Sequence, residues 1–63
     1  MDVNAQLKET AKEFGRARAR YDLSNDGHFD NRFRPDTPEY EGYEEIAEKH
    51  RRAVARFSDF NRK

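Results

Sequence analysis

Val3, Leu7, Phe14 and Tyr21 stand four, seven and seven residues apart, with Ala11 and Ala17 between them. That spacing puts all of them on one side of a helix and predicts a first helix over about residues 4–21. Inside it Gly15 is the weak point, at about 1 kcal/mol relative to Ala. The run Leu23-Ser24-Asn25-Asp26-Gly27-His28 then combines residues that tolerate positive φ with side chains that bond their own backbone, so the helix is expected to stop before it. Asp36-Thr37-Pro38-Glu39 is a start signal: Thr37 can cap, Pro38 suits the first helical position, and Glu39 complements the positive end of the helix dipole. Tyr40, Tyr43, Ile46, Ala47, His50, Ala53, Val54, Phe57 and Phe60 follow at three- and four-residue steps. They predict a second helix over about residues 38–59.

Two amphipathic helices and no strand pattern define an all-α chain. The expected architecture is an antiparallel two-helix hairpin, one domain over residues 1–63, with a long ordered loop over 22–37. Charge agrees with that direction, because Arg16, Arg18 and Arg20 close the first helix while Glu39, Glu41, Glu44, Glu45 and Glu48 open the second. Exposed pairs of this kind contribute about 0.2–1 kcal/mol each, so they bias orientation more than they stabilise it.

Composition makes stability the harder question. The chain is 33% hydrophobic and 41% charged, and Leu, Ile, Val and Phe together number ten of its 63 residues, little material for a core. Thirteen basic residues balance thirteen acidic ones, and there is no cysteine, so neither net repulsion nor a disulfide framework enters. The expected way to complete the core is a homodimeric bundle of two hairpins; the alternative is a short third helix within 28–36 that lays Phe29 and Phe33 over the open side. Leu7, Phe14, Tyr21, Tyr43, Ile46, His50, Val54, Phe57 and Phe60 are the expected core or dimer-seam residues.

Candidate chemistry is sparse. Asp22, Ser24, Asp26, Gly27, Phe29 and Asp30 match the first, third, fifth, sixth, eighth and ninth positions of a calcium-binding loop, but its twelfth position, which needs a bidentate carboxylate, is Phe33 between Arg32 and Arg34. A loop that ends the first helix is the preferred reading, and a calcium-responsive loop between Asp22 and Asp30 the weaker alternative. His28 and His50 lack the spacing of a zinc site, and His50 is expected to lie in the helix seam. No nucleophile–base pair or phosphate-cradling glycine loop is present, so neither enzymatic activity nor a cofactor is expected. The basic sets are Arg16 and Arg20 on the first helix and Arg51, Arg52 and Arg56 on the second. Arginine forks suit carboxylates and phosphates, so these faces could meet an acidic protein or nucleic acid. The long connection argues against a helix-turn-helix reader. No apolar run is long enough for a membrane span, and the Met1-Asp2-Val3-Asn4 start lacks signal-peptide blocks, which makes the cytoplasm the expected location.

The stretches LKETAKEFGRARARYD and PEYEGYEEIAEKHRRAVARF resemble the small, charged, helical accessory proteins of the lambdoid bacteriophage early region, encoded between the recombination and excision genes. The resemblance spans both helices and carries no residue-specific motif. It implies a viral protein in the host cytoplasm that influences the choice between lytic and lysogenic growth through a host or phage protein. The resulting expectation is a non-enzymatic regulatory protein acting by protein–protein contact, with a nucleic-acid-binding regulator as the alternative.

Overall fold

The computed structural model describes residues 3–60, without the side chain of Phe60. Helix α1 spans Val3–Asp26 and helix α2 spans Pro38–Phe60, and the two pack against each other. The all-α, two-helix expectation holds, and α2 begins where its start signal lies. Thr37 Oγ1 accepts a hydrogen bond from the Tyr40 N–H at 3.3 Å and donates one to the Arg34 carbonyl at 2.7 Å, and Pro38 occupies the first helical position.

Helix α1 does not stop where the turn residues suggested. It continues through Leu23, Ser24, Asn25 and Asp26 and ends at Gly27, whose φ is +73°. The Gly27 N–H reaches the Leu23 carbonyl at 3.1 Å, the left-handed glycine cap that satisfies a terminal carbonyl. Burial and a local bond hold the extra turn: Asp22 is buried and Leu23 half-buried, while within α1 Asn25 Nδ2 donates back to the Tyr21 carbonyl at 2.9 Å.

The helices run parallel, not antiparallel. Lys12 pairs with Glu41 at 3.6 Å, and four residues further along both helices Arg16 pairs with Glu45 at 2.9 Å. At one end Lys8 and Glu9 border the same groove as Thr37 and Pro38; at the other, Gly27 and His28 border one with Val54 and Ala55. The loop between Asp26 and Pro38 is what permits this. Its eleven residues can reach about 36 Å when extended, enough to travel back along the pair before α2 sets off in the direction of α1. The expected meeting of Arg18 and Arg20 with the acidic start of α2 is therefore replaced by Lys12 and Arg16 meeting it.

No third helix forms between Gly27 and Thr37. The loop still brings both rings onto the helices. Phe29 makes edge contacts with Tyr43 (6.0 Å between centroids) and His50 (5.5 Å), and Phe33 with Phe14 (6.0 Å) and Tyr43 (6.2 Å). Asn31 pins the middle of the loop, its Nδ2 donating to the Tyr40 carbonyl at 3.3 Å and to Glu44 at 3.0 Å.

The helix–helix seam is built from small residues. Gly15 and Ala19 of α1 and Gly42, Tyr43 and Ala47 of α2 are buried. A Cβ on Gly15 would overlap the Glu39 carbonyl oxygen and lie 2.9 Å from Tyr43 N; one on Gly42 would overlap the Lys12 carbonyl oxygen and lie 2.7 Å from its carbonyl carbon. Each glycine thus presents its Cα–H to the facing carbonyl, a contact worth about 0.5–1 kcal/mol. The residue that looked like a defect in α1 is where the two backbones meet.

The C-terminal part of α1 lies beside the N-terminal part of α2, so each helix overhangs the other at one end. The molecule is 52 Å long, against about 36 Å for a helix of 24 residues. Residues 3–10 of α1 and 51–59 of α2 are exposed throughout, as expected of two rods staggered lengthwise.

Candidate interaction surfaces

Tyr43 anchors the centre. It is fully buried; its hydroxyl donates to Asp22 Oδ2 and accepts the Asp30 N–H at 2.6 Å. One phenol therefore ties α1, the loop and α2 together. Burial, then the hydrogen bond to the Asp22 carboxylate, pushes the Tyr43 hydroxyl up to about 12. Asp22, only 4% exposed, also meets Arg18 Nε at 3.4 Å, and the Arg18 guanidinium lies over the Tyr21 ring at 5.2 Å. This knot bears on the calcium-loop alternative. Asp22, Ser24 and Asp26 lie on a helix and not in the loop conformation of that motif, and the Asp22 carboxylate is bonded to Tyr43 and Arg18. Among the described residues no group of three His, Asp or Glu side chains converges as a metal site would need.

The predicted stripe residues divide between inside and outside. Tyr43 is buried, and Ile46 and His50 are half-buried. By contrast Leu7 and Phe14 are 62% exposed, Tyr21 56%, Val54 50% and Phe57 69%, so in the single chain they are surface. The reason differs for the two helices. On α1 the apolar stripe occupies a different face from the small-residue seam. On α2 the stripe is the packing face itself, but past His50 it meets only the last residues of α1 and the start of the loop, which leave an open groove beside Val54. The Phe60 side chain lies outside the described residues.

The basic residues separate in the same way. Arg16 is surrounded by Glu9 (3.1 Å), Glu13 (3.0 Å) and Glu45 (2.9 Å), and Arg20 bonds Glu13 at 3.1 Å. Those Arg20 and Arg16 bonds hold the Glu13 carboxyl below its usual range. Arg16 and Arg20 thus serve in-chain ion pairs. On α2, Arg51 meets Glu44 and Glu48, and Arg52 meets Glu48. Lys49 and Arg56 make no ion pair within the described residues, and together with Arg52 they border one groove along the outer face of α2. From Lys49 to Ser58 the chain contains no acidic residue.

Gly42 and Ala19 are the packing residues that the pattern of large side chains missed. The available signal was small residues every fourth position, Ala11, Gly15 and Ala19, with a second glycine inside a helix where it needs a packing reason.

No family model, no curated protein and no solved structure matches this chain. What the fold establishes is an all-α protein of two packed helices and a connecting loop, in which no described helix is long and apolar enough to cross a membrane.

Proposed function

We propose that this chain is a non-enzymatic interaction protein that presents the overhanging end of α2 to an acidic protein partner, as a viral regulator of the host's lytic or lysogenic course would. One observation carries the reading. Val54 and Phe57 are exposed on the same last turns of α2 that carry Lys49 and Arg56, which make no ion pair among the described residues and border a neighbouring groove. Exposed aromatic surface rimmed by arginine is the composition of a binding hot spot, and a partner that covers the rings while supplying carboxylates fits both halves. The resemblance of both helices to lambdoid accessory proteins supports a partner within a bacterial host. Affinity capture from bacterial lysate, followed by binding of the purified partner, tests the idea with Phe57→Asp and Arg56→Glu variants that retain wild-type helicity. Loss of binding in both is expected; a partner retained equally by both variants removes the α2 surface from consideration.

The same basic face favours a second reading, nucleic-acid binding. Neutralising several phosphates makes affinity fall steeply with salt, so a salt series on duplex DNA separates the two. Binding that weakens steeply with salt supports nucleic acid.

A further inference from the structure

The stripe on α1 has no helix against it in the single chain. We propose that a second copy of this chain pairs with it, the two α1 helices lying antiparallel in a two-stranded coiled coil that leaves the α2 overhang free.

Leu7, Phe14 and Tyr21 recur every seven residues, and Thr10, Ala17 and Ser24 recur every seven residues three positions later. These are the two core positions of a heptad repeat. All six are exposed and lie off the Gly15 and Ala19 seam, with the loop's Phe33 against one edge of the series at Phe14. The register follows from size and charge. Antiparallel pairing sets each position of the first series against one of the second, so that Phe14 meets Ala17 of the partner subunit, Tyr21 meets Thr10 of the partner subunit and Leu7 meets Ser24 of the partner subunit. Every large side chain then faces a small one, which lets layers interdigitate without voids or overlap. A parallel arrangement would instead oppose Phe14 to its own copy and Ala17 to its own copy, stacking bulk against bulk and gap against gap.

The flanking charges choose the same register. With Phe14 opposite the partner's Ala17, Glu13 lies beside Arg20 of the partner subunit, and two-fold symmetry repeats the pair. Within one chain Glu13 and Arg20 already bond at 3.1 Å on the same edge of the stripe, so dimerisation assembles four alternating charges. Such flanking pairs set partner choice and orientation more than affinity. Because the surface is separate from the end of α2, the dimer and the partner-binding reading stand or fall independently.

Sedimentation equilibrium combined with circular dichroism tests the proposal. Wild-type chain is expected at twice the 7.5 kDa monomer mass, and Leu7→Asp at the monomer mass with unchanged helicity, since Leu7 has no core contact to lose. Glu13→Arg and Arg20→Glu should each shift the protein toward monomer, and mixing the two should restore a dimer that contains one of each. Four results overturn the proposal: a monomeric wild type, a dimer indifferent to Leu7→Asp, a mixture that fails to re-associate, or a dimer that Glu13→Arg disrupts while Arg20→Glu leaves it intact. The last is what parallel pairing requires, because it would set Glu13 against Arg18 of the partner subunit and leave Arg20 uninvolved.

Discussion

At Gly15 and Gly42 any side chain would meet the backbone of the facing helix. In a helix interior alanine gains about 1 kcal/mol over glycine, so either substitution would stabilise an isolated helix. Here the added Cβ strikes backbone on the facing helix, which cannot rotate out of the way, and overpacking of this kind costs about 1–3 kcal/mol. Gly15→Ala and Gly42→Ala are each expected to lower the urea midpoint, and a raised midpoint in either would mean the backbones do not meet there. Tyr43 supplies a second test at this scale. Its hydroxyl, held at about 12 against 10.0 for a free tyrosine, stays protonated in the folded chain where an unfolded chain would ionise. The corresponding stability is fully present below pH 10 and is lost as pH rises toward 12. Phenolate absorbance should show Tyr43 titrating late, together with unfolding, and Tyr43→Phe should abolish that part of the alkaline transition. The same replacement leaves the buried Asp22 carboxylate without its phenol donor, a loss of about 1–3 kcal/mol.

At the scale of elements, α2 was legible because its signals are local. Thr37, Pro38 and a regular apolar period act within one helix and need nothing from elsewhere. The end of α1 was not, because Ser24, Asn25 and Asp26 favour turns in isolation, and what keeps the chain helical there includes the buried bonds of Asp22 to Tyr43 and Arg18. The true stop is Gly27. Gly27→Ala should lower the melting temperature by the equivalent of about 1–2 kcal/mol, the penalty for a side chain at positive φ. Thr37→Ala should cost about 1 kcal/mol through the lost cap. A Gly27→Ala protein as stable as wild type would show that the cap does not terminate α1. The large side chains of α1 were visible in the sequence as a stripe, yet their period reveals only that they share a face. It does not reveal which face the neighbour takes, and at this position the neighbour chose the small one.

At the scale of the molecule the decisive feature is direction. Because the chain lacks cysteine, Lys8→Cys carrying a nitroxide is a clean probe. It should broaden the amide signals of residues 36–41, and a label at His28→Cys those of residues 54–55; an antiparallel pair would fail both. Sequence alone determined that there are two helices, where α2 starts, that no disulfide braces them, and that Phe29 and Phe33 belong to whatever closes the open side. These follow from residue type and period, which act over a turn or two. Whether the rods run the same way, which face of α1 is inside, and how far each overhangs the other were decided only in three dimensions. Surface charges that seemed to favour the opposite direction are worth at most about 1 kcal/mol apiece. Against them stood close backbone contact at two glycines, a buried tyrosine joining three segments and a loop long enough to carry the chain back, all interactions between residues far apart in the sequence.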